Sequence, residues 1–320
     1  MRDLKTPSRP HGPATPSAMG TEISRRAVLA APLFALARPA AADVMTLHGG
    51  KITLEIEGTT SKALAALIPH WVEKSADAVA QYYGKFPVPA VRISVSLREG
   101  ADVDGGRTFP GRVPHIEVEV GRDAGDDALM SSDWVMVHEM IHLAFPDLDG
   151  EHSWMHEGIA VYVESIARVQ AGHLPAEQIW GDFVHQMPRG LPQDGDGGFD
   201  QGGRHSRTYW GGAMFCLMCD VEIRKRTNNA KGLQHALRGI NVERDFRKEW
   251  DFRETLEVGD KATGTTVLIE FYDRMKETPE KPDLAAIWKE LGVVAEGRKI
   301  SFDGKAELAS IRQALTVPLA

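Results

Sequence analysis

The stretch that most constrains this chain is Val137-His138-Glu139-Met140-Ile141-His142. It is an HExxH pattern inside an apolar-periodic segment, with Trp134, Val135, Met136 and Val137 before it and Ile141, Leu143, Ala144 and Phe145 around its end, a spacing that predicts a helix. On a helix, residues four apart share a face. His138 and His142 therefore project side by side, as two imidazole ligands of one zinc need, and Glu139 sits next to them, where it can act on a water held by the metal. Two core or surface histidines flanking a glutamate would give the same short pattern, so the surrounding sequence has to decide.

A catalytic zinc usually takes three protein ligands, and the third must come from elsewhere in the chain. The metzincin continuation HExxHxxGxxH is excluded, because Phe145 stands where its Gly would be and Leu148 where its third His would be. Downstream, Trp154-Met155-His156-Glu157-Gly158-Ile159-Ala160-Val161-Tyr162-Val163-Glu164 again carries helical apolar spacing. This segment resembles the second zinc helix of the gluzincin metallopeptidases, W-x-x-E-G-x-A-x-Y, whose glutamate is the third ligand; Glu157 is the matching position. Fourteen residues separate His142 from Glu157, and Pro146-Asp147-Leu148-Asp149-Gly150 supplies a turn that can bring the second helix back on the first. Glu151, His152 and His156 are the nearby alternatives, none of which sits at the matched position.

A third segment extends the resemblance. Thr208-Tyr209-Trp210-Gly211-Gly212-Ala213-Met214, running into Leu217 to Thr227, is similar to the Y-x-x-G-A helix of the glycyl aminopeptidase family and, more distantly, of the alanyl-type aminopeptidases. In those families the tyrosine hydroxyl donates to the developing oxyanion, which makes Tyr209 the matching residue here. A preorganised donor aimed at new negative charge is what such a reaction needs. The resemblance covers roughly residues 90 to 292. It implies an α+β, thermolysin-like gluzincin catalytic domain, with a small mixed sheet lobe followed by a mostly helical lobe and the zinc cleft between them. The resemblance extends to the catalytic core alone, and the expectation is that the family's amino-terminal β-domain and carboxy-terminal PDZ module are missing here.

Residues 1–42 read as a leader. Ser24-Arg25-Arg26-Ala27-Val28-Leu29 resembles a twin-arginine export signal, Ala27 to Ala37 is a short apolar region, and Ala40-Ala41-Ala42 offers a small-residue cleavage site. Met19 is an alternative start to Met1. The apolar region is interrupted by Pro32 and is too short to span a bilayer, so the expectation is a periplasmic or secreted protein with no membrane span after signal removal. A net charge of -8 argues against a nucleic acid partner, since phosphate binding needs a basic face.

Residues 43–130 are expected to form the sheet-containing lobe. Lys51 to Ile56 and Val91 to Leu97 alternate as strands, and Ser61 to Tyr83 is helically spaced through Leu64, Leu67, Trp71 and Val79. The segment Gly105 to Gly111 reads as a loop leading into a strand, His115 to Val120, placed where gluzincins have the sheet edge that pairs with an extended substrate. The loop carries Arg107 and lacks the acidic residue with which alanyl-type aminopeptidases hold a free amino terminus. Arg107 could instead favour a carboxylate on the substrate.

Residues 131–320 are expected to form the helical zinc-binding lobe, one catalytic unit with 43–130. Glu164, seven residues after Glu157 on the same helix face, is either a group that orients a ligand or an exposed salt-bridge partner. The Gly- and Asp-rich stretch 188 to 206 is a candidate lid or a plain surface loop, with Arg204 and His205 as candidate substrate contacts. Cys216 and Cys219, flanked by Phe215, Leu217 and Met218, read as buried thiols packing as small hydrophobes. Further helices are expected at Ile179 to Phe183, Val267 to Met275, Leu284 to Leu291 and Ala306 to Leu315, with a short strand at Lys299 to Phe302.

Together these residues point to a zinc metallopeptidase acting on a peptide or protein. His138, His142 and Glu157 would hold one Zn2+ per chain, Glu139 would act as general base and then acid, and Tyr209 would serve the oxyanion. A non-catalytic peptide-binding protein of the envelope and a zinc hydrolase of a non-peptide bond are the alternatives. The first has no use for Glu139, and the second would use the same residues.

Overall fold

Period-two alternation of apolar and polar residues builds the strands between Asp43 and Gly121. In the computed structural model, which describes residues 42–148, 150–243 and 250–319, strands β1 (Asp43–Leu47), β2 (Gly50–Glu57), β3 (Ala90–Arg98), β4 (Val103–Phe109) and β5 (His115–Gly121) form one sheet in the order β1-β2-β3-β5-β4. The core of the sheet is parallel, β2 on β3 on β5, with Ile52, Val91, Ile93, Ile116 and Val118 buried on one face. The two rims, β1 and β4, run antiparallel to their neighbours. Between β2 and β3 the chain crosses over through helix α1 (Lys62–Tyr83). Ser61 caps it by accepting from the Leu64 N–H, and Gly84 ends it at φ 82°, in the left-handed region.

The sheet edge is not where the sequence placed it. His115 to Val120 is an interior strand, and the segment from Gly105, expected to be a loop, belongs to the rim strand β4. Glycines weaken a strand signature, which is why the stretch reads as a loop. One of them is demanded by packing: a Cβ on Gly106 would lie 2.6 Å from the Glu139 Cγ and 3.0 Å from the Val135 Cγ1. Only a bare backbone lets this strand lie so close to the helix behind it.

That helix is α2 (Val135–His142), followed by α3 (Ser153–Gln170), α4 (Ala176–Gln186) and α5 (Gly212–Arg226). A π-helical turn, Arg207–Gly211, leads into α5. Helices α6 (Leu233–Glu243), α7 (Phe252–Thr263), α8 (Val267–Met275) and α9 (Leu284–Leu291) follow, then the hairpin of β6 (Val293–Glu296) with β7 (Lys299–Phe302), and α10 (Ala309–Leu315). Asp283 and Gly292 bound α9: the aspartate accepts from the Ala286 N–H, and the glycine takes φ 69°. β6 was not foreseen, and α10 starts three residues later than expected. One apolar cluster runs through sheet and helices, and among the described residues no helix is long and apolar enough to cross a membrane.

The stretch 188 to 206 is fastened at several points. Phe199 is buried against Trp154, the Gly198 and Asp200 N–H groups donate to the Glu277 and Lys276 carbonyls, and Asp196 pairs with Arg204. Cys216 and Cys219 are free and buried in α5, as expected, and burial pushes both thiols well up. The expected export leader, apart from Ala42, lies outside the described residues.

Candidate active site

Helix α2 is only eight residues long, and short helices are marginal without help at their ends. Help comes from Asp133, whose extended backbone (φ -69°, ψ 137°) puts its carboxylate over the helix start. It accepts from the Val135 N–H at 2.9 Å, the Met136 N–H at 3.2 Å and, across the core, the Trp71 indole N–H at 2.7 Å. Burial pushes the Asp133 carboxyl up to about 6. The result pins α2 to α1. The sequence places Trp71 on the apolar face of its helix but carries no sign of its partner, although an acid such as Asp133 just before an apolar-periodic run is a helix-start signal.

On α2, His138 and His142 stand one turn apart with ring centroids 4.9 Å apart. The chain reverses after α2, and α3 brings Glu157 to them: its Oε2 lies 3.2 Å from the His138 Nε2 and 3.8 Å from the His142 Nε2. Ligand atoms of a tetrahedral zinc, at about 2.0–2.2 Å from the ion, stand about 3.3–3.6 Å from one another. The observed spacing brackets that value, and two imidazole nitrogens with one carboxylate oxygen form a zinc-type donor set, so the three residues fit the ion.

The charges agree with this. Burial, with the charge of His138 beside it, pulls His142 down to about 3, leaving a neutral ring with a lone pair to give. Burial pushes Glu157 up, but the hydrogen bond from His138, the charges of both histidines and the hydrogen bond from Tyr209 outweigh it and hold the carboxyl at about 2. For His138 burial acts downward and is outweighed by the hydrogen bond and charge of Glu157, which hold the ring above its ordinary value. His138 thus faces an ionised Glu157, and the two groups could hold a cation between them.

The alternatives for a third ligand are turned elsewhere. His156 lies edge-on to Phe145, its ring 6.1 Å from that of His142. Glu151 and His152 gather with Asp200 in a separate group, where Tyr272 donates to Asp200 at 2.6 Å and lies 3.3 Å from the His152 Nε2.

Glu139 faces the sheet. Thr108, on β4, places its hydroxyl 2.7 Å from the Glu139 Oε2 and 2.9 Å from the same residue's carbonyl oxygen. Burial pushes the Glu139 carboxyl up, against the charge of His138 and the Thr108 hydrogen bond. Nothing in the sequence singled out Thr108, since a strand threonine carries no signature of its partner. The neighbouring Arg107 was singled out, and it points the other way. Thr108 and Gly106 meet Glu139, so Arg107 projects from the opposite face of β4, where its guanidinium lies over Phe109.

Tyr209 sits on the π-helical turn rather than on α5 itself, an irregularity common at functional sites. Its ring is parallel to that of His138 at 6.2 Å, and its hydroxyl hydrogen-bonds Glu157. Burial and the charge of Glu157 push that hydroxyl well up, so it remains a donor. His205 packs on Tyr209 at 4.3 Å, whereas Arg204 is spent on the Leu191 carbonyl and Asp196. Glu164 is neither an exposed salt bridge nor turned to a ligand. It is buried, accepts from Ser165 at 2.8 Å and pairs at 3.2 Å with Arg168, which also donates to the Ser131 carbonyl and so ties α3 to the segment before α2.

By sequence, no protein-family profile and no curated protein matches this chain. By structure, the chain is similar to an aminopeptidase N family protein from Idiomarina loihiensis, with TM-score 0.55 and 14% identity over 79% of this chain and 49% of that one. It is also similar to a mutant form of a two-domain M1 zinc metallopeptidase bound to L-arginine, with TM-score 0.52 and 12% identity over 77% of this chain and 54% of that one. The chain thus spans about half the length of each of these proteins. At these identities the likeness is one of fold: a mixed sheet with helices, arranged as in M1 zinc metallopeptidases.

Proposed function

We propose that this chain is an exported zinc metallopeptidase of the gluzincin type, hydrolysing peptide bonds with one zinc per chain. The observation that carries the reading is the convergence of His138, His142 and Glu157 within 4.8 Å of one another, with Glu139 next to them in sequence. The fold shared with M1 zinc metallopeptidases supports it, and the twin-arginine-like leader supports export.

His138, His142 and Glu157 would hold the ion. When bound, zinc supplies a Lewis acid that polarises the substrate carbonyl and lowers the pKa of water. Glu139 accepts the proton of the attacking water and delivers it to the leaving amine, so bond making and bond breaking share one proton carrier. Thr108 holds the Glu139 carboxylate in place from the rim of the sheet. Tyr209, kept protonated by its surroundings, donates to the carbonyl oxygen as negative charge develops there. A simple binding protein would gain nothing from a buried glutamate steered by a strand hydroxyl.

The test is incubation of the purified protein with a diverse peptide mixture, read by mass spectrometry beside Glu139→Gln and a chelated sample, with metal analysis of all three. The expectation is cleavage that vanishes in both controls while Glu139→Gln still carries about one zinc. Turnover surviving in Glu139→Gln sinks the assignment, and so does a protein that binds no zinc.

A further inference from the structure

Large apolar side chains exposed among the described residues are Val44, Val113, Val242, Val294, Val317 and Trp134. The valines are scattered along the chain, as single exposed apolar residues normally are. Trp134 differs in size and in position. It is 37% exposed and lies at the very start of α2, one turn before His138, with its ring edge-on to that imidazole at 5.3 Å. A residue whose carbonyl is polarised beside His138 therefore carries its side chain within reach of the indole.

The surroundings say what kind of side chain that is. The adjacent Val135 is buried with its Cγ1 against Gly106 of β4, which leaves the indole as the exposed apolar surface at this end of α2. An exposed aromatic surface beside the site suits an apolar group, and the indole alone would also attract a cation. The acid beside it in sequence, Asp133, could have completed a cationic site. It is turned inward, with both oxygens engaged by Trp71, Val135 and Met136.

We propose that Trp134 walls a subsite for an apolar, and best an aromatic, side chain on the substrate residue flanking the cleaved bond. This rests on the peptidase reading of the site. The two can fail separately, because a side-chain preference can be measured as binding without turnover.

The experiment uses the full chain, zinc-loaded, with peptides that differ only at the residue flanking the cleaved bond: Phe, Leu, Ala or Arg. Phe and Leu are expected to exceed Ala in kcat/KM by about tenfold or more, the usual yield of an apolar pocket. Trp134→Ala should bring that ratio to within about threefold by lowering the Phe and Leu values, and Trp134→Phe should retain most of it. Zinc content should be the same in all three proteins. An unchanged Phe-to-Ala ratio in Trp134→Ala overturns the proposal, as does a wild type that prefers Arg. In parallel, N-acetylphenylalanine amide and N-acetylalanine amide are titrated into wild type and Trp134→Phe, reading tryptophan fluorescence. Tighter binding of the aromatic ligand, with a signal present only in wild type, supports the subsite even where no peptide is cleaved. Equal binding of the two ligands overturns it.

Discussion

Gly158 of α3 and Gly212 of α5 meet backbone to backbone. A Cβ on Gly158 would stand 2.3 Å from the Gly212 carbonyl carbon, and one on Gly212 would stand 2.2 Å from the Trp154 carbonyl oxygen. Glu157 adjoins the first glycine, and Tyr209 lies three residues before the second. The closeness of this helix crossing therefore fixes the distance between a metal-site carboxylate and the donor that faces it. Backbone atoms cannot swing aside as side chains do, so Gly158→Ala must force the helices apart. Overpacking of this kind costs about 1–3 kcal/mol, and the expected result is that loss in chemical denaturation together with a fall in kcat larger than the folded fraction explains. A Gly158→Ala protein of unaltered stability and kcat would show that the crossing has slack.

Tyr209→Phe removes one hydroxyl and leaves the ring stacked by His138. Loss of one oxyanion donor lowers kcat by about a hundredfold to a thousandfold. Zinc content should stay unchanged, because Tyr209 supports Glu157 without being one of the three converging ligands. A kcat within twofold of wild type would remove Tyr209 from the mechanism.

Thr108→Val keeps the shape of the side chain and deletes the hydroxyl that sits 2.7 Å from the Glu139 Oε2. Groups that orient a catalytic residue from behind are worth about tenfold to a hundredfold, so kcat should fall by about that much while KM and zinc content hold. Thr108→Ser should restore it. Equal rates for the Val and Ser proteins would mean that Glu139 is placed by α2 alone.

Asp133 gives a pH prediction. Burial holds its carboxyl at about 6 in the folded chain, above its value of about 4 in an unfolded one. The folded state therefore binds this proton more tightly. The stabilisation is fully present below about pH 4 and is lost as pH rises through about 6. Measured by urea denaturation, wild type should lose on the order of 2 kcal/mol relative to Asp133→Asn between pH 4 and pH 7. A flat difference between the two proteins across that range would show that the carboxyl titrates normally.

The local elements were legible in the sequence for a local reason. His138 and His142 four residues apart on an apolar-periodic segment determine that they share a helix face, and the same holds for the apolar frame around Glu157. Period-two runs such as Lys51 to Ile56 announce their strands, and Asp283 with Gly292 announce the ends of α9. Each of these depends on residues within one or two turns of each other.

What lies between elements was decided by the tertiary structure. The sequence assigned Gly105 to Gly111 to a loop and the substrate-side edge to His115–Val120, whereas strand order puts β4 on the rim and β5 inside. It drew attention to Arg107, and the pleat of β4 turned Thr108 to Glu139 instead. Asp133 acquired a buried partner, Trp71, from a segment distant in the chain, and Arg168, which pairs with Glu164, reaches the Ser131 carbonyl. Hydrogen-bond partners across the core and the closeness of Gly158 to Gly212 depend on how whole helices and strands are set against one another. Side-chain periodicity records which face of an element is buried, and it carries no record of what that face will meet.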